Sequence, residues 1–168
     1  MSRPNRSKES SAITSAIKVI VASDHAAVAA RALVVETLAS LGYVVQDVGP
    51  TGEESVDYPD YAQVVGEAVG SGKSELGVLL CGSGIGMSIA ANKIPGVRAA
   101  LVHDVTGARL SRQHNDANVL VLGGGMMGER LLKDVVEAWT GASFEGGRHQ
   151  GRVNKITALE GAGRGSSR

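Results

Sequence analysis

The sequence predicts an α/β chain: a five-stranded parallel sheet between two layers of helices, in a single domain. Three observations carry this. Short apolar runs alternate with longer stretches of helix formers. The run Leu76 to Leu80 is apolar throughout, as a strand buried on both faces should be. The 23 glycines fall largely at the ends of the runs, where turns are needed. Strands that alternate with helices are joined by right-handed crossovers, which makes the sheet parallel and covers both faces. A chain of 168 residues is long enough for one domain with a real core, and neither an internal repeat nor a second core is visible.

In chain order, residues 1–16 are rich in serine and charge and lack periodicity, so they read as a disordered extension. Arg3, Arg6 and Lys8 would suit a transit peptide, but Glu9 and the missing apolar face speak against one. The domain proper is expected over 17–160. Ile17 to Ala22 is a first strand, closed by Ser23, Asp24 and His25. An alanine-rich helix follows from Ala26 to Leu41, and Gly42 suits its carboxyl cap. Tyr43 to Val48 is a second strand. A loop with Pro50, Gly52 and the acids Glu53, Glu54 and Asp57 leads to Tyr58, and Pro59 suits the first turn of a helix ending near Ser71. The third strand ends at Cys81. Gly82, Gly84 and Gly86 follow on alternate positions, and Met87 to Lys93 reads as a helix. Val97 to Val102 is a fourth strand, and Asp104 caps a helix running to about Gln113. His114, Asn115 and Asp116 are expected in the loop after it. Asn118 to Leu122 is a fifth strand, Glu129 to Thr140 a helix, and Arg148 to Glu160 a last helix after a break at 145–147. Residues 161–168 read as a flexible tail.

Composition excludes several partners. Lys plus Arg equals Asp plus Glu, 17 each, so nothing in the charge suggests nucleic acid. One cysteine rules out an internal disulfide framework and fits a reducing compartment, hence a cytoplasmic protein. No apolar run approaches the ~18–20 residues that cross a bilayer, so no membrane partner is expected.

The chemistry centres on the third strand. A strand, a glycine-rich turn and a helix point backbone N–H groups at an anion. A thiol at the mouth of such a nest, Cys81, sits where thiolate is favoured. The plainer alternative is a small buried cysteine beside a tight turn. Ligands of open parallel sheets bind beyond the carboxyl ends of the strands, where strand order reverses. With the order 2-1-3-4-5, strands one and three are neighbours, and Asp24, His25 and Cys81 share one crevice. Gly123, Gly125 and Gly128 match G-x-G-x-x-G, but they follow the last strand, with no βαβ unit and no ribose-binding acid beyond. Arg148 and Arg152 share one helix face beside His149 and suit a phosphate, the alternative being a solvated basic face. The histidines at 25, 103, 114 and 149 fit no compact metal motif.

Six segments together resemble one family. They are Ser-Asp-His at 23–25, Asp-Tyr-Pro at 57–59, Cys-Gly-Ser-Gly-Ile-Gly at 81–86, Ala-Ala-Asn-Lys at 90–93, Ser-Arg-Gln-His-Asn-Asp at 111–116 and Glu-Gly-Gly-Arg-His-Gln at 145–150. From about Ile17 to Glu160 the chain resembles the family of ribose-5-phosphate isomerase B and galactose-6-phosphate isomerase. The resemblance implies a Rossmann-like three-layer domain and an aldose–ketose isomerase of the pentose phosphate pathway, which interconverts ribose 5-phosphate and ribulose 5-phosphate through an enediolate. It implies no metal and no organic cofactor, and a homodimer or dimer of dimers with shared sites. Cys81 matches the base that moves a proton between C2 and C1. Relatives without this cysteine use a glutamate a turn later, where this chain has Met87. His114 matches the residue that opens the sugar ring, with Asp24 near it. Gly82, Ser83, Gly84, Ile85 and Gly86 match the nest around the enediolate oxygen. Asn115, His25 and Tyr58 match substrate contacts, and Arg148 and Arg152 the phosphate clamp. The shared site means that His114 and Asn115 serve the partner's pocket. Many relatives also carry a phosphate-binding arginine where this chain has Gly125. Two alternatives stay open: another aldose phosphate as substrate, such as a tetrose phosphate or the 6-phosphate of allose or galactose, or a non-catalytic phosphosugar-binding module, which would need no thiol.

Overall fold

The computed structural model describes residues 16–52 and 54–162. The expectations for 1–15, Glu53 and 163–168 lie outside the described residues. Five strands form one parallel sheet: β1 (Lys18–Ser23), β2 (Val44–Asp47), β3 (Leu76–Cys81), β4 (Ala99–Leu101) and β5 (Val119–Gly123). Six α-helices connect and cover them: α1 (Val28–Ser40), α2 (Tyr58–Gly70), α3 (Ile85–Ala91), α4 (Val105–Asn115), α5 (Glu129–Thr140) and α6 (Arg148–Ala162). A short 3-10 turn, His25–Ala27, precedes α1. The three-layer, single-domain α/β architecture is therefore the one the sequence predicts.

The strand order is β2-β1-β3-β5-β4, which corrects the expected 2-1-3-4-5 at one edge. Burial gives the reason. Every residue of β5 is buried, so this strand needs a neighbour on each side. The three residues of β4 are only half-buried and suit an edge. Asn92 blunts that edge: its side chain accepts from the Ala99 N–H and donates to the Ala99 carbonyl, both at 2.9 Å. The reversal between β1 and β3 is as expected.

Strand residues alternate between two cores, as the period-two pleat requires. Val19, Val21, Val78, Leu80, Leu120 and Leu122 face α1, α4 and α5, where Val34, Leu38 and Trp139 are fully buried. Ile20, Ala22, Leu79, Cys81, Val119 and Val121 face α2 and α3, against Val65 and Met87. Most strand and helix ends shift by one or two residues from the sequence reading, and three of the differences have a local cause or bear on the candidate residues. Helix α3 begins at Ile85, because Gly84 takes a left-handed conformation (φ +78°) that opens a helix directly from the turn. Helix α4 runs on through His114 and Asn115, so these two are helical rather than in a loop, and Asp116 closes it at φ +46°. Helix α6 continues to Ala162, past the expected start of the tail at Gly161. Among the described residues no helix is long and apolar enough to cross a membrane.

Candidate active site

The carboxyl ends of β1 and β3 meet at the strand reversal. The Asp24 N–H donates to the Leu80 carbonyl at 3.2 Å, which ties the β1 turn to the residue before Cys81. The Asp24 carboxylate is buried and accepts the Ala26 N–H at 3.0 Å, capping the 3-10 turn. Behind it lies a residue that sequence reasoning missed. Arg31 is buried, pairs with Asp47 at 3.1 Å, and donates to the Ser23 hydroxyl at 2.9 Å and the Pro50 carbonyl at 2.8 Å. It joins the β1 turn to the loop after β2. The available signal was one cation set among the apolar residues of an alanine-rich helix.

Cys81 is 6% exposed and unpaired. Its sulfur accepts the Gly84 N–H at 3.1 Å, so the glycine turn directs a backbone dipole at the thiol. Gly84 is needed twice over: its φ is left-handed, and a Cβ there would lie 2.5 Å from Leu101 Cδ1. Ser83 and Ile85 line the same turn, where the Ile85 N–H donates to the Ser83 hydroxyl at 3.3 Å. The ring of Tyr58 lies over Gly86, where a Cβ would come within 2.5 Å of the ring's Cζ. The Nδ1 of His25 accepts the Val56 N–H at 3.1 Å, which brings the loop before α2 against the β1 turn.

The glycines after β5 support this turn. The Gly124 N–H donates to the Cys81 carbonyl at 2.8 Å and the Gly125 N–H to the Gly82 carbonyl at 3.0 Å. A Cβ on Gly123 would stand 2.9 Å from the Ser83 oxygen. Close packing of two turns accounts for this run without a nucleotide.

A second group of candidates sits at the other end of the sheet. Helix α4 leaves the carboxyl end of β4 and finishes just before β5, so its last turn lies at the amino ends of the strands. The Arg98 side chain, just before β4, donates to the Asn115 carbonyl at 3.1 Å. The Glu145 N–H donates to the Gln113 carbonyl at 3.0 Å and brings the start of α6 alongside. The imidazoles of His114 and His149 stack there, centroids 4.3 Å apart and planes 7° from parallel. Glu145 Oε2 lies 4.0 Å from His114 Nε2 and 3.8 Å from His149 Nε2. Burial holds the His149 imidazole below the usual histidine range; His114, Arg148 and Arg152 push the same way, and Glu145 opposes them. Arg148 and Arg152 are exposed on the first turns of α6.

These donors would be the natural place for an imidazole-binding metal, since their ligand atoms lie within 4.8 Å of one another. They do not fit one well. Stacked rings aim their in-plane lone pairs side by side rather than at a common point, and Arg148 and Arg152 add positive charge. The surroundings suit an anion better. One chain thus gathers Asp24, His25, Tyr58, Cys81 and the 82–86 turn at one end, and His114, Asn115, Arg148 and Arg152 at the other. It does not bring the two groups together.

The sequence profile of the ribose/galactose isomerase family matches residues 19–156. The ribose-5-phosphate isomerase B of Escherichia coli is 46% identical over 143 residues, covering 85% of this chain and 96% of that protein. The D-erythrulose-4-phosphate isomerase of Pectobacterium atrosepticum is 40% identical over 146 residues, covering 86% and 95%. The solved structure of ribose-5-phosphate isomerase B from Clostridium thermocellum superposes with a TM-score of 0.85 at 46% identity, over 87% of this chain and 99% of that one.

Proposed function

The chain belongs to the ribose/galactose isomerase family, and we propose that within it this isomerase interconverts ribose 5-phosphate and ribulose 5-phosphate. The observation that carries the reading is the Cys81 thiol held by a glycine-turn N–H beside buried Asp24 at the strand reversal. In the proposed reaction His114 takes the proton of the C1 hydroxyl. The bond from C1 to the ring oxygen breaks, the C1 carbonyl forms, and the ring oxygen gains a proton, with Asp24 assisting. The Cys81 thiolate then takes the proton from C2. The electron pair moves toward C1, and the carbonyl oxygen becomes an enediolate oxygen that the N–H groups of the 82–86 turn hold. Return of the carbon proton to C1, with transfer of the O2 proton to O1, gives the ketose, so no metal or organic cofactor has a step. His25, Tyr58 and Asn115 orient the sugar, and Arg148 and Arg152 clamp the phosphate in a fork.

This reading requires two subunits, a homodimer or a dimer of dimers, because the ring-opening and phosphate groups lie at the far end of their own sheet. Exposed apolar residues support it. Ile85 and Ile89 on α3 are 54% and 57% exposed, and Leu159 on α6 is 71% exposed. Covering such a side chain is worth about 1.5–3 kcal/mol when burial is complete. The chemistry also needs a reduced thiol, which fits a reducing compartment such as the cytoplasm.

A second reading, a different aldose phosphate in the same site, is favoured by Gly125, which offers the phosphate no cation, and by the 40% identity to an isomerase of a four-carbon sugar phosphate. Steady-state kinetics on four- to six-carbon aldose phosphates decides between them. Ribose 5-phosphate should have the highest kcat/KM. A lead of about tenfold or more for a tetrose or hexose phosphate overturns the ribose assignment and leaves the isomerase.

A further inference from the structure

We propose that His149 is a positioning residue that stays neutral and so leaves His114 as the one proton carrier of the stacked pair. The inference rests on the reading of His114 as the ring-opening group. The geometry is asymmetric in a useful way. His114 stands in the last turn of α4, at the electronegative end of that helix. His149 is the second residue of α6, where the helix end is electropositive and resists a proton. The two rings lie face to face at 4.3 Å, so a charge on one opposes a charge on the other.

Every group around His149 but one adds to the asymmetry. His149 is 5% exposed, and burial disfavours the charged form. Arg148 and Arg152 on its own helix and His114 on α4 repel a proton, and only Glu145, in the loop before α6, attracts one. The backbone that carries the ring is held in place. The His149 N–H donates to the Gly146 carbonyl at 3.0 Å, and Gly146 and Gly147 hold the entry to α6 in left-handed conformations, φ +63° and +54°. A neutral π-face against a charged imidazolium is attractive, so the arrangement braces His114 while it carries the proton. During ring opening, the proton taken from the C1 hydroxyl then has one imidazole to reside on before the ring oxygen receives it. A second protonated ring in the stack would oppose that uptake.

Proton–carbon NMR of the imidazole Cε1–H groups tests the protonation directly, using the full chain titrated from about pH 8 to about pH 5. Single His25→Gln and His103→Gln variants remove two of the four signals, and His114→Gln separates the remaining pair. The His149 signal should keep its neutral position through the range near pH ~6.5 where an ordinary histidine titrates. Protonation of His149 within that range overturns the proposal. Kinetics tests the consequence. His149→Lys puts a permanent charge against His114, and turnover of ring-forming ribose 5-phosphate should fall by more than about tenfold. A short aldose phosphate that cannot cyclise should lose less than about threefold in the same variant. His149→Phe, which keeps the flat face without the charge, should recover most of the loss on ribose 5-phosphate. Equal losses for Lys and Phe on both substrates would make His149 a packing residue only, against the proposal. If His149→Lys does not fold, the wild-type titration still decides. Should His114→Ala instead lose equally on cyclising and non-cyclising substrates, the ring-opening role of His114 fails, and with it the catalytic consequence drawn here. The neutrality of His149 would still be judged by NMR.

Discussion

Cys81 and His149 are both buried, and they stand among different groups. At Cys81 a backbone N–H from Gly84 points at the sulfur, and the side chain stands where three glycines leave the backbone bare. At His149 two guanidiniums and a second imidazole press on the ring. In the proposed reaction Cys81 takes the carbon-bound proton, whereas the groups around His149 disfavour protonation of its ring. A prediction follows for Cys81. Removing a general base typically costs about 10²–10⁴-fold in turnover, so Cys81→Ala should lower kcat by that order while ribose 5-phosphate still protects the protein in a thermal-shift assay. Wild type should also carry solvent deuterium into C1 or C2 during turnover. Alanine turnover within about threefold of wild type would remove the thiol from the mechanism. Cys81 and Asp24 were legible in the sequence because strand, turn and helix are contiguous there, and each motif sits at a predicted strand end. Arg31 was not, nor was the stacking of His149, because contact across the fold defines both: Arg31 with Asp47 and Pro50, His149 with a ring that is 35 positions away in the chain.

Element order explains what the glycines after β5 do. The parallel sheet was legible from alternation alone, but the position of β4 was not: Val97 to Val102 and Asn118 to Leu122 are both short apolar runs, and only tertiary burial separates an edge strand from a central one. Once β5 lies beside β3, its terminal glycines meet the Cys81 turn, and the G-x-G-x-x-G pattern has a packing cause. The His114–Asn115 pair was likewise read as a loop, since the helix gains its last turn from Arg112, whose guanidinium holds Asp116 at 3.2 Å and the Ala117 carbonyl at 2.8 Å. The β5 turn also carries Gly125, the position where the resemblance implies an arginine in many relatives. An arginine there would add a charge-assisted bond to the phosphate, typically worth about 1.5–3 kcal/mol. Its Cβ would stand 3.1 Å from the Gly82 carbonyl, so that carbonyl must yield by a few tenths of an ångström. Gly125→Arg should therefore lower KM for ribose 5-phosphate by roughly tenfold, with a smaller fall in kcat from the displaced turn. An unchanged KM would mean that the phosphate does not reach this turn, and would favour a different substrate length.

For the whole molecule the governing fact is that one chain holds its two groups of candidate residues at opposite ends of its sheet. Cys81 closes the carboxyl end of β3, whereas His114 and α6 occupy the amino ends of the strands, with the length of the sheet between them. No movement of a side chain spans that distance, so a second chain must supply the missing half if both groups act on one sugar. Mixing two inactive variants makes this testable. Cys81→Ala spoils one half-site, and His114→Ala spoils the other. In a dimer of one chain of each kind, one composite site carries both defects and the other carries neither. Random association makes half of the dimers mixed, and each of these holds one intact site of two, so co-refolded variants should recover about a quarter of wild-type turnover. Each variant alone should stay near its own low level, and recovery should require subunit exchange, appearing after co-refolding and more slowly after simple mixing. If instead each chain carried a complete site of its own, every site in the mixed dimer would contain one defect. Activity would then never rise above the sum of the two variants, and the shared-site reading would be lost even if the protein proved dimeric.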